Sequence, residues 1–118
     1  MDPAIEQIEK VRLACSCHLA AVQRASAAEQ TREPTEIQAA MEALDDASEA
    51  LQREALKLLT EKRPRTAAGA AEVLSYVASQ QGADALPDTT EDGRDFPRAV
   101  MAVCAEAIRD GARHRVPE

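Results

Sequence analysis

The sequence predicts an all-α fold, a four-helix bundle in which the first two helices form a long antiparallel hairpin and two shorter helices pack on it. Three observations carry that expectation. Apolar residues recur at three- and four-residue spacing through long windows. The composition favours Ala, Leu, Glu, Gln and Arg, which lose little rotamer freedom in helices, and Tyr76 and Phe96 are the sole aromatic residues. Capping and breaking residues fall between the apolar stripes. At 118 residues the chain is expected to be a single domain with one modest core. That core must be built from Ile, Val, Leu, Met and Ala, whose small side chains let helix axes approach closely.

The first helix is expected over 3–30. Asp2 is a good N-cap, Pro3 suits the first turn, and Ile5, Ile8, Val11, Cys15, Leu19 and Val22 form one stripe. The second is expected over 35–62, with Thr35 as N-cap and Gln38 three residues later completing a capping box. Ile37, Met41, Leu44, Leu51, Ala55, Leu58 and Leu59 line its apolar face, and the short turn at Pro34 makes it antiparallel to the first. Pro64 disfavours helix at Arg63, and Thr66 restarts it as N-cap of a third helix over 66–81, with Gly82 as its stop. An acidic loop spans 83–95. Asp95, Phe96 and Pro97 then open a fourth helix over 96–110, with Phe96, Val100, Val103, Cys104, Ala107 and Ile108 in its stripe and Gly111 as its end.

Charge and composition exclude several function classes. A net charge of −7 argues against nucleic acid as a partner, because phosphate binding needs a basic face. No apolar run reaches the roughly 20 residues that span a bilayer, and "MDPAIEQIEK" lacks the basic and apolar regions of a secretion signal. No membrane association and a cytoplasmic location are therefore expected. Three cysteines cannot all pair within one chain, so free thiols are the default.

The stretch "VRLACSCHLAAV" concentrates Cys15, Cys17 and His18, which raises the question of a metal. On a helix Cys15 and Cys17 point to nearly opposite sides, and no C-x-x-C spacing or paired second half is present. Cys15 with His18 is a better pair, to which Cys104 or His114 would have to be added from the fourth helix. The preferred reading makes Cys15 and Cys104 core residues, with no metal and no cofactor. In the acidic loop Asp88, Thr90, Asp92 and Gly93 imitate the first half of a calcium-binding EF-hand loop, but its twelfth position is Ala99 where a bidentate Glu is needed. A solvated loop is the simpler reading.

"KRPRTAAG" joins basic side chains to a helix N-terminus, a combination suited to an anion, and Arg63, Arg65 and Thr66 would form the site. The simpler expectation is a helix turn in which Thr66 caps and Gly69 permits close packing. No enzymatic constellation emerges, because Cys17 and the adjacent His18 project about 100° apart and the residues after His18 do not suit phosphotransfer. A non-enzymatic protein is expected.

Two segments nevertheless resemble a group of small α-proteobacterial helical proteins. The start matches at Asp2, Pro3, Ile8, Glu9, Arg12 and Ala14, and the centre at Pro64, Thr66, Ala68, Gly69, Leu74, Tyr76 and Ala78. The second helix departs from the group. The resemblance implies a helical fold and a cytoplasmic location and supplies no catalytic residues.

What remains is an expected protein-protein interaction or structural module, with a small-ligand or anion binder at the third helix as the alternative. Leu13, Cys17 and Ala20 form a second apolar patch on the first helix, most of a half-turn from its main stripe. That patch requires cover, either from another helix of the same chain or from a second copy in a homodimer.

Overall fold

Pro3 fixes a helical φ where no amide partner is needed, and the Asp2 carboxylate accepts from the Ala4 amide at 3.0 Å, so the chain enters helix at its third residue. In the computed structural model, which describes residues 2–79, 81–82, 86–89 and 93–115 and only the backbone of 112–115, four helices follow in order. They are α1 (Pro3–Thr31), α2 (Pro34–Lys57), α3 (Ala67–Ala78) and α4 (Phe96–Arg115). α1 and α2 form the long antiparallel hairpin, α3 packs on α1, and α4 packs on α3. An isolated antiparallel bridge between Thr89 and Asp95 precedes α4.

Helix ends depart from expectation for identifiable reasons. α2 begins at Pro34 rather than Thr35, its N-cap is Glu33 without a side-chain cap bond, and Gln38 instead meets Glu42 within the helix. The left-handed Arg32 ends α1, and Thr31 Oγ accepts from the Glu33 amide, so the turn is already closed when Pro34 supplies the first helical φ. α2 stops at Lys57 rather than near 62, where the chain tightens to bury the adjacent Leu58 and Leu59, and the Lys62 amide returns to the Lys57 carbonyl.

α3 ends at Ala78, short of 81. Ser79 leaves helical geometry, its hydroxyl donates to the Tyr76 carbonyl, and the Gly82 amide donates to that hydroxyl. α4 passes through Gly111, which takes no left-handed φ, and so runs beyond the expected 110. The Asp95 carboxylate accepts from the Arg98 amide at its start.

The main core lies at one end of the hairpin. Ile8, Val11 and Cys15 of α1, Leu51 and Ala55 of α2, Leu58 beyond it, Val73 and Tyr76 of α3, and Phe96, Val100 and Cys104 of α4 are all buried there. The far end is held by a second, smaller cluster, Ala25, Ala28 and Ala40 with Ile37 and Leu44. The molecule is accordingly long, 70 × 25 × 21 Å. α3 and α4 cover only its near end, and the rest of the hairpin projects as a two-helix arm. The expected stripe of α1 is therefore covered only in part, with Ile8, Val11 and Cys15 buried and Leu19 and Val22 exposed.

Candidate functional site

Along the arm, Ala14, His18, Ala21, Ala25 and Ala28 recur at helical spacing and are half-buried or buried, which marks the seam that α1 presents to α2. Residues one position earlier leave the seam by one flank, and residues one position later leave it by the other, each about 100° around the helix. The first flank carries Leu13, Cys17, Ala20 and Arg24, and an ion pair of 3.6 Å between Arg24 and Glu36 identifies the side of the hairpin on which it lies. The second flank carries Cys15, Leu19 and Val22. Lower on this flank sits α3: Cys15 Sγ lies 3.1 Å from the Tyr76 hydroxyl, and the Arg12 guanidinium stands 5.2 Å from the centre of the Tyr76 ring.

The sequence left open what covers Leu13, Cys17 and Ala20. Among the described residues no helix does so, for Leu13 is 66% exposed and Cys17 and Ala20 are exposed with it.

The basic start of α3 has an internal occupant. The Asp2 carboxylate that caps α1 also accepts from the amides of Arg65 and Thr66, both at 2.9 Å, and from the Thr66 hydroxyl at 2.8 Å. Thr66 in turn accepts from the Gly69 amide at 3.0 Å, the expected N-cap bond. Gly69 is the point of closest approach: a Cβ there would overlap the Asp2 carboxylate, which explains the glycine in the first turn of α3. Burial alone would push the Asp2 carboxyl up, but hydrogen bonds from the Ala4 and Arg65 amides and the Thr66 hydroxyl and amide outweigh it and hold the group below its ordinary range.

Arg63 is turned toward α4, 4.0 Å from the Glu106 carboxylate, beside a cleft of about 170 Å³ that Arg65, Glu106 and Asp110 also line. Arg63 and Arg65 line this cleft, while the Arg65 and Thr66 amides and the Thr66 hydroxyl are bound to the chain's own Asp2 carboxylate. The start and the centre of the chain meet here, Asp2 at Thr66 and Gly69, and Arg12 at Tyr76.

The cysteines separate by environment. Cys15 and Cys104 are buried in the core and Cys17 is exposed. Burial pushes the Cys15 and Cys104 thiols up, and a hydrogen bond to Tyr76 only partly offsets this at Cys15. The Tyr76 hydroxyl also reaches Gln81 Oε1, at 3.0 Å. Burial and the Cys15 contact also raise the Tyr76 phenol well above its ordinary range. Among the described residues no three His, Cys, Asp or Glu side chains stand close enough to hold a metal ion. The side chain of His114, and Thr90 and Asp92 of the acidic loop, lie outside the described residues. Among the described residues no helix is long and apolar enough to cross a membrane.

Two contacts had no signal in the sequence. Gln7 is buried in the hairpin and donates to the Glu54 carbonyl at 2.8 Å and to its carboxylate at 2.6 Å, which lowers the Glu54 carboxyl. A polar residue between Ala4 and Ile8 reads as surface until its partner, 47 positions away, is known. Arg12 over Tyr76 is hidden for the same reason. Comparisons with protein-family models, with curated proteins and with solved structures found no match.

Proposed function

We propose that this protein is a non-catalytic interaction module that self-associates through the first flank of α1, Leu13, Cys17 and Ala20. The observation that carries the reading is the 66% exposure of Leu13 at the head of a row that no other helix covers among the described residues. An apolar row along a rigid helix is more useful as an interface than as solvent-facing surface. Charge favours a second copy on this side. Between residues 13 and 31, Arg24 and Glu29 are the only Asp, Glu, Lys or Arg residues, so two α1 helices approach without net repulsion despite the overall charge of −7. A body 70 Å long and 25 Å wide also has room for the roughly 800 Å² per partner of a stable interface. Buried thiols left unpaired suit a reducing compartment, and we assign the protein to the cytoplasm.

Sedimentation of the parent and of a Leu13→Glu, Cys17→Glu variant tests the proposal. The parent is expected to dimerise reversibly. The variant is expected to stay folded and monomeric, melting close to the parent, because exposed substitutions usually change stability by less than about 0.5 kcal/mol. A parent that is monomeric at every concentration, or a variant that unfolds, contradicts it.

A further inference from the structure

We infer that the second flank of the arm is a groove for a basic amphipathic helix of a partner protein. The antiparallel register set by Gln7 with Glu54 and Arg24 with Glu36 brings Leu19 of α1 level with Met41 of α2. On α2 the seam is Ile37, Ala40 and Leu44. Glu36, one position before Ile37, leaves that seam on the Arg24 side, whereas Met41, one position after Ala40, leaves it on the opposite side. Leu19, Val22 and Met41 therefore share one flank. Leu19 is 57% exposed and Met41 42%.

The near end of the same flank shows what fills such a surface. One turn before Leu19, Cys15 is covered by α3, which seals the position with Tyr76. α3 runs parallel to α1, from Asp2 at Thr66 to Cys15 at Tyr76, and ends at Ala78 while the groove continues. A further helix laid in line with α3 would complete a three-helix section.

Charge selects the occupant. From residue 35 to residue 50, α2 carries no basic residue; Glu36 lies on the Arg24 flank, and Asp45 is the carboxylate nearest Met41 on the groove side. Asp45 follows Leu44 and so stands on the rim beside Met41, while Glu42, about 100° beyond Met41, faces away from the seam. A second copy of this acidic chain would be repelled there, and a neutral helix would leave Asp45 without a cationic partner. A helix with Leu, Ile or Met on one face and Lys or Arg beside it satisfies both floor and rim. This surface is distinct from the Leu13 flank, and neither proposal depends on the other.

The test uses two designed helices of about 18 residues, long enough to line the groove, one patterned with Leu and Lys and the other with Leu and Glu. Binding is followed by anisotropy and by methyl chemical shifts of the full chain. The Lys peptide is expected to bind, to weaken as salt rises, and to shift Leu19, Val22 and Met41. A Leu19→Ala, Met41→Ala variant with an unchanged circular dichroism spectrum should bind roughly tenfold more weakly or worse, as expected for removed apolar anchors. An Asp45→Asn variant should weaken the preference for Lys over Glu. Equal binding of both peptides, shifts confined to other surfaces, undiminished affinity of the alanine variant, or Leu19 and Met41 covered by a second copy would each overturn the inference.

Discussion

Replacing Asp2 by Ala removes the α1 cap and strands the Arg65 and Thr66 amides and the Thr66 hydroxyl in one step. Lost cap and charge-assisted bonds together should cost roughly 2–4 kcal/mol, a large part of the stability of a small domain, and thermal melting reads it directly. Gly69→Ala should also lower the melting temperature, although Ala favours helix by about 0.5–1 kcal/mol, because its Cβ meets the Asp2 carboxylate. In an Asp2→Ala background the same change should no longer cost stability, and additive effects would show that the two residues are not in contact. The folded carboxyl of Asp2 titrates below its unfolded value of about 3.9, so the stability it contributes is full above that pH and is lost as pH falls through the folded value. Melting curves of the parent and of Asp2→Asn should therefore converge on acidification, and a gap that persists unchanged to about pH 2 would contradict the assignment. Both caps were legible from residue type alone. Their sharing of one carboxylate was not, because it joins residues 63 and 64 positions apart.

At the scale of elements, stripe and cap residues located all four helices, while their ends were set by tertiary contacts. Thr35 has the right chemistry for a cap, yet the Thr31–Arg32 turn and Pro34 start α2 before it. Gly82 looks like a helix stop, but the Ser79 hydroxyl ends α3 earlier. The α1–α2 hairpin follows from the turn at Pro34, whereas its division into a covered base and a bare arm does not. Periodicity reports which residues share a stripe, and Leu19 belongs with Cys15 in that sense, but the length of α3 decides which of them is covered. The two ends should differ in stability. Leu51→Ala at the base should cost about 2–5 kcal/mol, and Ile37→Ala in the alanine-lined arm roughly 1 kcal/mol. Hydrogen exchange should show amides of residues 20–46 opening before those of the base, and uniform protection along the hairpin would contradict that division.

For the whole molecule, the arrangement reads as a compact base with a two-helix arm that exposes apolar residues on both flanks. The base holds Cys15 and Cys104, which sequence reasoning weighed as metal ligands, and the start of α3, which it weighed as an anion site; there Cys15 meets Tyr76, Cys104 is buried and the α3 amides meet Asp2. The arm holds the exposed apolar rows. Cys17 lies within the first of these and reports on it without disturbance, since Cys15 and Cys104 are buried. The most direct measurement is the rate at which a small thiol reagent labels native protein, followed across protein concentrations with the labelled residue identified. Association through Leu13, Cys17 and Ala20 predicts that Cys17 alone reacts at low concentration and that its rate falls as dimer forms. A Cys17 rate that stays constant across the concentration range would contradict the assigned interface.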